Sequence, residues 1–251
     1  MKNDDLIERI ESDLGWRKKE VSNLLLLENE DNQLLIIKST LLLLYSHWEG
    51  FVKNACKTYL EYVSNKKIST NILTDNFQAI ALKGKIQELY KSGETLTLAN
   101  ELAFMQNING TKAKIFSVKN NFSKLEKDKT IINTKNNLSF KVFKSILTII
   151  GIDYSDSIDT KCAFIDEKLL GNRNKIAHGN RIENSDEGLY LSINELKEVK
   201  ELIFYLMDTL SEDLMFFAEN ELYFNSNQER TKVYLQEKSE NIRRKLSNPH
   251  L

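Results

Sequence analysis

Apolar residues recur at three- and four-residue steps from about Asp31 to Val63: Ile37, Leu41, Leu44, Trp48, Val52, Ala55, Tyr59 and Tyr62. That spacing is one face of a helix. Leu42 and Leu43 make the helix apolar nearly all round at its start, as expected of a central member of a bundle. Polar His47 and Glu49 interrupt its middle, within Tyr45-Ser46-His47-Trp48-Glu49-Gly50-Phe51-Val52-Lys53. Similar periodicity predicts helices over Asp4–Glu28, with Asp4 as cap, over Asp75–Lys91, and over Thr97–Asn107, closed by Asn109-Gly110. Others are predicted from Phe140 to Ile150, ended by Gly151, from a cap at Asp159, from Asn194 to about Phe217, and from Glu229 to Leu246. The stretch between Thr111 and Asn137 has no sustained period, and reads as a long excursion with partial order. Leu189-Tyr190-Leu191 alternates too briefly for more than a hairpin arm. No internal repeat or Gly/Ser linker appears. The expectation is a single all-α domain with a core of about 31–63 and 137–220, an insertion of about 108–137, and terminal helical elaborations including 229–246.

The helix that opens near Asp159 ends in Gly171-Asn172-Arg173-Asn174-Lys175-Ile176-Ala177-His178-Gly179. At about 100° per residue, Ile165, Leu169, Asn172 and Ile176 share roughly a quadrant and form a core stripe. His178 lies about 150° from the middle of that stripe, with Asn174 one turn before it on the same face. Arg173 stands to one side. A histidine buried for packing belongs on the stripe, and this one is off it. Ala163, Leu170 and Ala177 mark a second, narrower seam beside the polar pair. A helix with two such faces meets something on both sides, a second copy of the chain being one choice. Arg173 supplies a permanent planar cation suited to phosphate, and His178 a proton carrier near neutrality. The structural alternative is a plain helix ending, since Arg, His and Gly all favour that position. In that case the chain is a helical scaffold without chemistry there.

Composition narrows the field further. The chain has 251 residues, one Pro and nine Gly, which suits long helices more than a sandwich or barrel. A formal net charge of −1 excludes a globally basic nucleic-acid binder. Local charge is uneven: from Lys112 to Lys144, nine lysines less Glu126 and Asp128 leave +7. From Glu183 to Glu221, eleven acids less Lys197 and Lys200 leave −9. Such blocks are ordinarily solvated surface, but a basic one beside a site can guide a polyanion. Two cysteines, Cys56 and Cys162, form neither a disulfide framework nor a metal spacing, and the three histidines are unpaired in sequence. No metal or other cofactor is expected. Neither a signal-peptide core nor a membrane span is legible, since the run from Leu34 to Trp48 is too short to cross a bilayer, and a cytoplasmic protein is expected.

The Arg173-to-His178 spacing resembles the Arg-x4-6-His signature of HEPN domains, with a polar residue following the Arg. The Tyr45–Lys53 piece, Asn137-Leu138-Ser139-Phe140 and Ile176-Ala177-His178-Gly179 resemble stand-alone bacterial HEPN proteins of the MAE and RiboL-PSP kinds. The likeness covers roughly 34–63 and 137–210. It implies an antiparallel helical bundle that dimerises with two signature stretches facing one cleft. It also implies a metal-independent endoribonuclease acting as a toxin or phage-defence effector, with RNA as substrate and an antitoxin or defence partner to be considered. Carried onto this sequence, Arg173 and His178 are catalytic and Asn174 supports them. Glu49 and His47 are further supporting candidates, though on a central helix they equally suit a buried polar pair. Lys175, Arg181 and Lys53 are candidate RNA contacts. The expected reaction is attack of a 2′-OH on its own phosphorus, giving a 2′,3′-cyclic phosphate and a 5′-OH. The alternative is a catalytically silent HEPN module that binds RNA or a partner protein.

Overall fold

A computed structural model of the chain describes residues 1–91, 98–154, 158–178 and 191–247. The long helices are α1 (Asn3–Leu25), α2 (Gln33–Asn65), α3 (Asp75–Lys91), α4 (Ala99–Lys112) and α5 (Phe140–Ile150). After a 3-10 turn at Asp159–Lys161 come α6 (Cys162–Ile165), a π turn (Asp166–Gly171) and α7 (Asn172–Ala177). The chain ends with α8 (Ile193–Glu219) and α9 (Gln228–Leu246). The fold is all-α, and the described residues contain no strand, only the isolated bridges Ser69–Ile115 and Leu73–Phe224.

All eight apolar positions of the α2 stripe are buried, and so are Tyr45, Phe51, Cys56 and Leu60 around the rest of the helix. α2 is therefore enclosed on nearly every side. Asn3 of α1 accepts a hydrogen bond from Tyr62, while His47 meets Glu20, so α1 runs antiparallel to α2. Lys18 of α1 bonds Asp208 of α8 at 2.7 Å, and Ala218 lies at the Tyr62 end. α8 is thus antiparallel to α1 and lies along both. α1 buries Leu6, Ile10 and Val21 in the core shared with α2 and α8.

Several local expectations change. α1 opens one residue before Asp4, with the Asp5 carboxylate taking the Lys2 backbone N–H at 2.7 Å. α4 continues past Asn107 to Lys112, because glycine at 110 can stay helical and the last turn closes on Asn109 O. α8 is capped by Ser192, whose hydroxyl accepts from Glu195 N while the Glu195 carboxylate accepts from Ser192 N. Asp159 holds Lys144 Nζ at 2.8 Å. The stripe of Ile165, Leu169 and Asn172 is buried as read, with Ile176 packed against it. The opposite seam does not form as one line. Ala163 and Ala177 face outward, but Leu170 packs on the core. The intervening π turn takes more than 3.6 residues per turn, and a uniform 100° count does not carry across it.

The aperiodic stretch after α4 is anchored to the bundle rather than looped away from it. Phe116, Phe122, Ile132, Thr134 and Leu138 are buried. At the other end of the chain, Asp213 on α8 is fully buried and accepts from Tyr154, Tyr234 and Lys238, so α9 is tied down by a polar cluster as well as by Ile242 and Leu246. α5 illustrates how local chemistry sets an end. Ser139 caps it, and Gly151 closes it at φ +86° with Ile152 N donating to Leu147 O at 2.9 Å. A Cβ at 151 would meet Asn76 Nδ2 at 3.2 Å in addition to the left-handed strain. Gly151→Ala is expected to cost about 1–2 kcal/mol, read as a fall of a few degrees in melting temperature.

Candidate functional site

α7 packs across α2 and brings the Arg173 guanidinium over the Tyr45 ring, 4.8 Å from its centroid. Arg173 Nη1 donates to Asn137 Oδ1 at 3.0 Å and to Asn174 Oδ1 at 2.9 Å. An arginine carries five N–H donors, so Nε and Nη2 still have N–H groups to offer, and no partner engages them among the described residues. Asn137 is placed by the segment in front of α5. Leu138 N donates to Tyr45 Oη at 2.7 Å, Ser139 caps the helix, and Phe140 N donates to Asp166 Oδ1 at 2.9 Å. The four residues Asn137–Phe140 thus link α2, α5, the π turn and α7. Neither Asn137 nor Tyr45 stands among the site residues expected from the sequence. The signal that marks them is their presence in two of the motif pieces that carry the resemblance.

His178 follows α7 directly, and its backbone N donates to Asn174 O at 3.0 Å. Its side chain is exposed, and the ring makes no hydrogen bond among the described residues. The amide of Asn174 turns to Arg173 rather than to this ring, because the guanidinium lies within reach as the adjacent side chain. Lys175 is half-buried on α7. Arg181 and the expected stop at Gly179 lie outside the described residues, as do most of the hairpin arm and His250.

The two polar residues of the α2 motif part company. Glu49, one turn beyond Tyr45, accepts from Thr134 Oγ1 at 2.6 Å and from Lys53 Nζ at 3.0 Å. Burial pushes the Glu49 carboxyl up, but the hydrogen bonds from Thr134 and Lys53 and the charge of Lys53 outweigh it and hold the group below its ordinary range. Burial, with Glu49 beside it, pushes the Tyr45 hydroxyl up to about 12, so it stays a neutral donor. Glu49, paired with Lys53, thus ties Thr134 to α2 one turn from Tyr45, the ring on which Arg173 rests.

His47 points the other way, into α1. Its Nε2 lies 2.7 Å from Glu20 Oε2, its Nδ1 3.4 Å from Arg17 Nη1, and its ring meets Trp16 edge-on. Arginine only donates, so Nδ1 accepts and Nε2 carries the proton. Arg17 is itself held by Asp13 and passes over Gly50, where a Cβ would lie 2.5 Å from Nη1. Burial lowers the His47 pKa, Glu20 partly restores it, and Arg17 lowers it again. A base whose folded pKa is depressed binds fewer protons than in the unfolded chain. Its neutral form favours folding above the unfolded value near 6.5, and that contribution is lost as pH falls toward the folded pKa. The urea midpoint is expected to drop between pH 7.5 and 5.5, and His47→Gln is expected to flatten that limb.

Among the described residues no cluster of His, Cys, Asp and Glu suits a metal ion, and no helix is long and apolar enough to cross a membrane. Comparison with curated proteins and with solved structures gives no significant match. A family model does match, that of the MAE-like HEPN proteins, over residues 6–223. The match takes in α1 and the basic stretch between α4 and α5, which the sequence resemblance did not cover, and it stops before α9. An all-α bundle, the Arg173–His178 spacing and a family match over most of its length together place this chain in the HEPN family.

Proposed function

We propose that the protein is a metal-independent endoribonuclease whose working unit is a homodimer, with Arg173 and His178 as its catalytic residues. The observation that carries this reading is the contrast between the two side chains. Arg173 is held in place by Asn137, Asn174 and Tyr45, with N–H donors that no partner engages among the described residues, and His178 at the end of the same helix is exposed. A fixed cation is what stabilises charge building on a phosphate, since it need not reorganise during reaction. An exposed imidazole is what moves protons near neutrality.

In the reaction, a 2′-OH gives up its proton and attacks the adjacent phosphorus, and the 5′ oxygen leaves as it gains a proton. One His178 takes the first proton and the His178 of a second subunit supplies the other, because a single ring cannot stand on both sides of the phosphorus at once. Arg173 binds the non-bridging oxygens. Asn137 and Asn174 are positioning residues for Arg173, and Glu49 acts at one remove by holding Thr134 in the segment that carries Asn137. In HEPN proteins this activity serves toxins and defence effectors, and we assign the same role here. The test is purified protein with single-stranded RNA in EDTA. Products ending in 2′,3′-cyclic phosphate and 5′-OH, with no cleavage of the all-deoxy strand, are expected. Intact RNA that remains bound would instead favour the silent RNA-binding module, and RNA neither cut nor bound would overturn both.

A further inference from the structure

The basic stretch between α4 and α5 follows a path set by side chains of α2. Ser123 donates through N and Oγ to Glu61, at 2.9 and 2.7 Å. Lys57 Nζ donates to the carbonyls of Leu125 and Asp128, at 2.7 and 2.8 Å. Thr134 reaches Glu49, Leu138 reaches Tyr45, and Asn137 reaches Arg173. Residue numbers rise along the segment while they fall along α2 from 61 to 45. The segment therefore runs antiparallel to the helix for about 24 Å, at 1.5 Å per residue, and finishes at the candidate catalytic arginine.

Lys57 explains why so polar a stretch holds one path. It is only 2 % exposed, and a buried ammonium needs acceptors. It finds them in two loop carbonyls and rests over the Phe122 ring at 5.2 Å. The other lysines are spent differently. Lys119 pairs with Asp128, whereas Lys124, Lys127, Lys129 and Lys135 stand exposed, and none of these four makes an ion pair or side-chain hydrogen bond among the described residues.

We propose that these exposed lysines form the track for a single-stranded RNA whose scissile phosphate lies at Arg173, an assignment that rests on the ribonuclease reading above. Unpaired ammonium groups on an anchored backbone bind a phosphate chain by releasing its counterions. An acidic protein segment would satisfy the same charges. Continuity with a guanidinium that keeps donors for phosphate oxygens favours the phosphodiester chain.

The measurement is anisotropy of a labelled single-stranded RNA across a salt series, with His178→Ala as host so that cleavage cannot intervene. Lys124→Gln/Lys127→Gln/Lys129→Gln is expected to weaken binding at least about tenfold, and to reduce the slope of log K against log salt by about 2, at 0.7 per lost phosphate contact. Lys197→Gln/Lys232→Gln, which removes exposed charge from α8 and α9, is expected to change little. Binding unaltered by the triple variant would overturn the track, whether or not the wild type cuts RNA. So would equal displacement of the RNA by poly-glutamate of matched length. Lysine-dependent binding by a wild type that cuts nothing would leave the track standing and remove the ribonuclease. The melting temperature of the triple variant should match the host, since all three side chains are exposed.

Discussion

His178→Ala is expected to lower RNA cleavage by about 10²–10⁴-fold, the range for one positioned acid or base, with no change in melting temperature beyond a degree or two. The two halves of that expectation have separate grounds. The ring is exposed and has no hydrogen-bond partner among the described residues, so removing it leaves no cavity and no orphaned group. The other histidine among the described residues cannot take over its proton chemistry, because His47 is committed to Glu20 and Arg17 on the α1 side of α2. Mixing wild type with His178→Ala distinguishes one working histidine per reaction from two. If each cleavage needs a ring from both subunits, exchanged mixtures lose activity as the square of the wild-type fraction. A linear fall would mean that one subunit suffices. A loss of thermal stability matching the loss of rate would point to a structural role and overturn the catalytic one.

Part of this arrangement is legible in the sequence, because it depends on local periodicity. The stripe of α2 is continuous for eight positions, and each is buried. The outward place of His178 follows from its angle to Asn172 and Ile176, which lie with it beyond the π turn, where the helical count is regular again. Leu170 did not follow the same count, since the π turn shifts its direction and the core accepts it. The basic stretch was illegible for a different reason. Its order comes from single side chains on α2, Glu61, Lys57, Glu49 and Tyr45, and none of these imposes a period on the segment it holds. Asn174 shows the limit of helix geometry as a guide. Its spacing to His178 is right for a contact, but the guanidinium next to it offers the stronger, charge-assisted bond.

Arg173→Ala is expected to lower cleavage by about 10²–10³-fold, the usual effect of removing a donor from a charge-stabilising site. Unlike the histidine variant, it is also expected to cost about 1–3 kcal/mol of stability, from hydrogen bonds to a charged group and a cation–π contact. The side chain is half-buried and bridges α7 to Asn137 and Tyr45, so its loss loosens the junction of α2, α5 and α7. Arg173→Lys separates the two contributions. Lysine keeps the charge but not the planar fork that reaches two amides and a phosphate together, so stability should recover more than rate does. Asn137→Ala provides the independent check. It leaves the guanidinium in the chain but frees one of its two side-chain tethers, so kcat should fall by about tenfold while KM for RNA changes little. If Asn137→Ala lowered stability as much as Arg173→Ala and left kcat intact, the arginine would be a structural bridge and its proposed work on the phosphate would be excluded.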